Sequence, residues 1–291
     1  IRERSSPGNS KTPADIISRF AIDGTPVGFH EIKKGYINRT YRADIRESDG
    51  KITSYTLQRI NTNVFPDIDA LMDNFFKVTE HLRPTFFLPG AVGHPSVQTL
   101  VLARDGKPYV RDGEDCWRLM YYFSDVFSLD IPDKPDDFYY AGRAFGLFSA
   151  KMSDMPVGEL SEIIKNFHNT ASRYRDLELS IGRDPVGRVK DVGDEIAFVR
   201  AHRHIFPIIS DALGDGRLPL RICHNDCNLN NILFDNVPRL PVAVIDLDTV
   251  MPSFIFSDYG DFLRTAANTV AEDEADFSKI EFRHDIFRAF T

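Results

Sequence analysis

The segment RICHNDCNLNNILFD, residues 221–235, narrows what this chain can fold into more than any other stretch. His224, Asn225, Asp226, Asn228, Asn230 and Asn231 crowd into one short span, with apolar runs on both sides. Polar groups drawn into apolar surroundings need hydrogen-bond partners or a cation. Such a loop either faces a cleft and holds a ligand, or caps turns with its Asn side chains. The later segment PVAVIDLDTV favours the first reading. It has the β-branched texture of a buried strand, interrupted by Asp246 and Asp248. Strand alternation sends both carboxylates to one face, where burial calls for a partner or a metal ion.

Composition excludes several classes. Hydrophobic residues make up 42% and charged residues 27% of the 291, and 23 Phe with 10 Tyr supply a core. No apolar run approaches the roughly 18 residues of a membrane span, and the opening IRERSSPGNSKTP lacks the apolar core of a signal peptide. A net charge of −8 argues against a nucleic-acid partner. It leaves room for a phosphate ligand accompanied by magnesium. The sparse, odd set Cys116, Cys223 and Cys227 points to a reducing, cytoplasmic compartment. Cys223 and Cys227 lack the second pair that a zinc site needs.

Read along the chain, ADIISRFAI predicts a short helix, and strands are expected over residues 28–34, 38–46 and 52–60, with turns at Gly35 and SDGK. Behind Pro66, the spacing of Ile68, Leu71, Met72, Phe75, Val78 and Leu82 predicts an amphipathic helix. SVQTLVLA and CWRLMYYF read as two further strands. Helices are expected over residues 136–151, 159–167 and 192–212. The fold class is therefore α+β: an antiparallel sheet with one helix over residues 1–120, then a larger, mainly helical lobe over residues 121–291.

His224-x-Asp226-x-x-x-x-Asn231, followed fifteen residues later by Asp246, has the spacing of the protein-kinase catalytic loop and its metal-binding aspartate. A hydroxyl acceptor needs a carboxylate to orient it and take its proton, the task given to Asp226. Magnesium takes oxygen ligands, here Asn231 and Asp246. The hairpin KKGYINRTYRADI offers backbone N–H groups to phosphates. Gln58 stands where a kinase carries its phosphate-binding lysine, or it is an ordinary strand residue. Asp258 and Asp261 in SDYGDFLR brace the catalytic loop, or Asp261 caps the next helix, and a structural role is expected for His168.

On GYINRTY, YTLQRINTNVFPDIDALMDN, WRLMYYF, LPLRICHNDCNLNNIL and IDLDTVMPSFIFSDYGDFLR, the chain resembles the aminoglycoside-phosphotransferase and choline-kinase-like superfamily. Within it, the resemblance is to the N-acetylhexosamine 1-kinases, which phosphorylate the anomeric hydroxyl of GlcNAc or GalNAc. It implies a protein-kinase-like two-lobe fold, ATP and Mg2+ as cofactors, and a small sugar as partner. Asp226 would be the catalytic base. Asn231 and Asp246 would bind magnesium. Met120, Tyr121, Tyr122 and Phe123 would meet adenine. Gly35, Tyr36, Ile37, Asn38 and Thr40 would cover the phosphates, with Gln58 behind them. Tyr36 and Arg264 would join Asp226 on the acceptor side, and His224, Asp258 and Asp261 would support the loop. The chain departs from the hexosamine kinases at Tyr36, where they carry His, and their chains continue past FRAFT. Choline, homoserine or an aminoglycoside is the alternative acceptor, and a nucleotide-binding pseudokinase the alternative class.

Overall fold

Alternating apolar positions and tight polar turns build the N-terminal sheet. In the computed structural model, residues 12–33, 37–129, 134–268, 270 and 274–290 are described. A short helix α1 (Pro13–Ile17), closed by a reciprocal Thr12/Asp15 cap, leads into β1 (Thr25–Ile32), β2 (Arg39–Arg46) and β3 (Ile52–Ile60). The β2–β3 turn closes on Gly50 at φ +86°, a conformation that glycine takes without strain. Helix α2 (Ile68–Leu82) follows, then β4 (Leu100–Val101), β5 (Val110–Asp112) and β6 (Asp115–Tyr121). The sheet runs β1-β2-β3-β6-β4, with β5 also on β6, and every pairing is antiparallel.

The remainder is mainly helical: β7 (Val126–Phe127), α3 (Pro135–Met152), α4 (Thr170–Arg183), α5 (Gly193–Ala201), α6 (Ile208–Gly214), β8 (Arg221–Cys223), β9 (Ile232–Asp235), β10 (Pro241–Val244), β11 (Met251–Ser253), α7 (Ile255–Ala266) and α8 (His284–Phe290). Two small sheets, β10-β9-β7 and β11-β8, frame the polar loop. The largest core cluster joins Phe75, Val78 and Leu82 of α2 and Met120 of β6 to Phe145 and Phe148 of α3, Ile232 of β9 and Phe262 of α7. It therefore runs through both lobes. No helix among the described residues is long and apolar enough to cross a membrane.

Several expected elements differ, each for a local reason. Only Leu100–Val101 of the expected strand SVQTLVLA joins the sheet, because Val97 bridges to Val244 of β10 instead. The helix expected over 159–167 does not form. The Asn74 side chain takes both the N–H (2.9 Å) and the carbonyl (2.8 Å) of Ser161, and Asn166 sits at φ +56°. The expected helix 192–212 is two helices: α5 ends at Ala201, a 3-10 turn spans Arg203–Ile205, and α6 starts anew behind Pro207. Helix α4, capped by Asn169 on the Ser172 N–H at 2.9 Å, lies outside the expected helices. The strand expected through PVAVIDLDTV ends at Val244. Asp246 is left-handed at φ +60°, and residues 247–249 form a 3-10 turn, so Asp246 and Asp248 do not share a strand face.

Candidate active site

The polar loop is held from behind before it does any chemistry. Asp258, in the first turn of α7, accepts the His224 N–H at 2.9 Å and the Asn225 N–H at 2.7 Å. Burial pushes the Asp258 pKa up, against the pull of His224 and these two N–H groups. Asn225 takes φ +66°, a region Asn tolerates better than most residues. Its amide donates to the carbonyls of Cys223 (3.1 Å) and Thr249 (3.0 Å), and its oxygen accepts from Ser257 at 3.1 Å. His224 is fully buried, edge-on to Phe145 and Phe148, and its Nε2 donates to the Ile245 carbonyl at 3.0 Å. His168 donates from outside the loop to the Asn225 carbonyl at 3.0 Å. These contacts turn an eight-residue polar cluster into one rigid shelf.

Three side chains stand on that shelf. The amide of Asn231 donates to the Asp226 carboxylate at 2.9 Å and to the Asp226 carbonyl at 2.8 Å. Asn228 donates to the other carboxylate oxygen of Asp226 at 2.5 Å. With its N–H groups so used, Asn231 keeps its carboxamide oxygen for a cation. The Ile245 N–H donates to the Asn231 carbonyl at 2.9 Å, which brings Asp246 beside Asn231. Burial raises the Asp226 pKa, and Asp261 adds to the rise. Burial, then Asp248 and Asp226, raise the Asp246 pKa to about 7. No described group donates a hydrogen bond to the Asp246 carboxylate. An oxygen donor set that raises its own proton affinity in this way fits a hard divalent cation. The described residues hold no group of three or more His, Cys, Asp or Glu arranged for a metal. A two-oxygen protein set suits magnesium, which keeps water and phosphate ligands.

In the sheet lobe, Thr40 and Gln58 are register partners on β2 and β3, and Gln58 donates to Thr40 at 3.0 Å. The Gln58 oxygen accepts from Arg118 of β6 at 2.7 and 2.9 Å. Arg118 in turn forms a bidentate, fully buried pair with Asp248. Asn38 donates to Asp248 at 2.8 Å, and Ile37 beside it is exposed. Gly35 and Tyr36 lie outside the described residues. In the lobe-joining segment Met120 and Phe123 are buried and Tyr121 is exposed. The Tyr121 and Tyr122 N–H groups already donate to Thr99 and Ser54 carbonyls at 3.1 and 3.3 Å. Asp261 lies inside α7, so it caps no helix. It pairs with Arg264 at 2.9 Å, and both act electrostatically on Asp226. The three cysteines are free and buried. Sequence pattern marks Asn225 as part of the polar cluster without giving it a task, and it does not single out Arg118. The only signal for Arg118 was a lone cation in the apolar strand CWRLMYY.

The comparisons with known proteins bear on this geometry. Residues 28–289 match the APH group, described as the phosphotransferase enzyme family. The chain belongs to that family. Among solved structures, the fold of this family member resembles an aminoglycoside phosphotransferase from Alicyclobacillus acidocaldarius (TM-score 0.55, 16% identity, 89% of this chain and 72% of that one). It also resembles the amicoumacin kinase hAmiN in complex with AMP-PNP, Ca2+ and Ami (TM-score 0.58, 13% identity, 94% and 73%). A microcompartment-associated aminopropanol kinase is similar too (TM-score 0.53, 15% identity, 94% and 83%). At these identities the likeness establishes the fold, the kinase-like pairing of a sheet lobe with a helical lobe.

Proposed function

We propose that this phosphotransferase is a magnesium-dependent kinase that moves the γ-phosphoryl of ATP to a hydroxyl of a small molecule. The acceptor we assign is the anomeric hydroxyl of an N-acetylhexosamine. One observation carries the reading. Asp226, steadied by Asn228 and Asn231, shares a wall with the Asn231 oxygen and with Asp246, a carboxylate lacking any described donor. In this reading residues 1–120 bind the nucleotide, and residues 121–291 carry catalysis and the acceptor. Ile37, Asn38 and Thr40 lie over the phosphates, and residues 120–123 meet adenine.

The chemistry follows from the side chains. Asp226 accepts a hydrogen bond from the acceptor hydroxyl and takes its proton as the oxygen bonds to phosphorus. The upward shift of its pKa makes it a stronger base than a free aspartate. Two Asn amides hold that carboxylate in one orientation, so little reorganisation accompanies the reaction. Asn231 and Asp246 would hold the metal ion, which when bound would offset charge developing on the phosphates. Arg264 pairs with Asp261 beside Asp226, so in this reading the acceptor side carries a cation among its carboxylates. That favours a neutral sugar over a polycationic aminoglycoside. Phosphorus NMR with Mg-ATP and a panel of GlcNAc, GalNAc, glucose, galactose, choline and kanamycin tests this. A sugar 1-phosphate signal from the N-acetyl sugars is expected. A product from another acceptor would replace the substrate and keep the mechanism. No product from any, with nucleotide bound, would turn the reading to a pseudokinase.

A further inference from the structure

The kinase-type lysine is missing from β3, yet a buried cation stands one strand away. Arg118 is the register partner of Gln58 and, with 1% of its surface exposed, is among the most buried side chains. Its guanidinium touches three parts of the fold and reaches a fourth through Asp248. It donates to Gln58 of β3 and stacks 4.5 Å from the centroid of the Phe75 ring of α2. It forms the bidentate pair with Asp248 of the turn that follows Asp246. Through Asp248 it reaches Asn38, whose own oxygen accepts the Asn61 N–H at 3.0 Å. These contacts use the Nε donor, both Nη2 donors and one Nη1 donor, so the guanidinium is nearly saturated inside the protein. It is therefore not free to grip a phosphate. The alternative, that it only fills the core, does not explain why the Asp248 Oδ2 that accepts from Arg118 of β6 also accepts from Asn38, while Oδ1 is given to Arg118.

We infer that Arg118 and Asp248 form an interlobe clasp that registers the loop at Asn38 against the turn bearing Asp246, making Arg118 a positioning residue for nucleotide binding. The inference rests on the proposed kinase reading for its meaning, and its test does not need turnover. Binding of the magnesium complex of the non-hydrolysable ATP analogue AMP-PNP is measured by calorimetry, with thermal unfolding in parallel. Arg118→Met alone leaves Asp248 buried without its counter-charge, so the informative variant is the pair R118M/D248N, which removes both charges. The expected result is a folded protein with an unfolding midpoint near that of the unaltered chain and affinity about tenfold weaker. Unchanged affinity in that folded double variant would overturn the clasp. Should the double variant not fold, Gln58→Leu cuts one arm and keeps the ion pair. An affinity about fivefold weaker supports the clasp there, and unchanged affinity overturns it. If the unaltered protein binds the analogue but phosphorylates no acceptor, the kinase reading fails and this comparison still stands. If it binds no nucleotide, both fall.

Discussion

At the scale of single residues, the loop separates holding from acting. His224 and Asp258 spend their hydrogen bonds on backbone, as does the Asn225 amide, while among the described side chains the Asp226 carboxylate accepts from Asn228 and Asn231. Replacement of Asp226 by Asn removes the proton acceptor while leaving the size and the neighbours alike. Turnover should fall about 10²- to 10⁴-fold, with the rise in unfolding temperature on adding Mg-ATP largely kept. Steady-state kinetics beside a thermal-shift titration checks this, and wild-type turnover in the variant would remove Asp226 as the base. The grouping of His224, Asp226, Asn231 and Asp246 was legible in the sequence because a few residues of spacing encode a loop and its adjoining strand. The task of Asn225 was not, since it is to satisfy carbonyls of β11 and of the turn before it, contacts that exist only after folding.

At the scale of elements, local pattern explains those that formed as expected. Helix α2 buries Ile68, Leu71, Met72, Phe75, Val78 and Leu82 along the stripe that its spacing laid down. Long-range contacts explain the rest, such as Asn74 reaching from α2 to unravel the helix expected at 159–167. Helix α8 shows the same dependence on a distant partner. Its Phe290 stacks on Phe262 of α7 with centroids 3.7 Å apart, and its backbone lies directly over Gly142 of α3. A methyl group at Gly142 would collide with the Phe290 carbonyl, which cannot swing aside as a side chain would. Gly142→Ala should therefore cost about 1–3 kcal/mol. Denaturant titration measures the loss, and hydrogen exchange should show α8 as the first element to lose protection. Unchanged protection would mean that α8 docks without that close approach.

At the scale of the whole molecule, the two lobes meet over a group of carboxylates. Asp226, Asp246 and Asp248 converge there, with Arg118 the buried cation among them. Asp246 is raised from 3.8 to about 7, so the folded, metal-free protein binds a proton there more tightly than the unfolded chain. That contribution to stability is complete below the unfolded value and is lost as pH rises through the folded one. A cation needs the ionised carboxylate and competes with the proton. The unfolding midpoint of metal-free protein should fall between about pH 5 and about pH 8, and the rise produced by Mg-AMP-PNP should grow over the same interval. Thermal unfolding at several pH values tests both trends, and Asp246→Asn should flatten them. A midpoint that stays level in the unaltered protein would mean that burial does not raise Asp246.

The amino-acid sequence alone determined the strand-rich and helix-rich halves, the amphipathic α2 and the polar loop. Each of these is written in short-range periodicity or spacing, and a hydrogen bond or an apolar stripe a few residues long suffices to encode it. Only the tertiary structure decided that Asp246 and Asp248 part company. The backbone turns left-handed at Asp246, and Asp248 is drawn to an arginine 130 residues earlier in the chain. A buried charge must be compensated wherever the fold brings a counter-charge. No local pattern in CWRLMYY or VIDLDTV states that these two residues will meet.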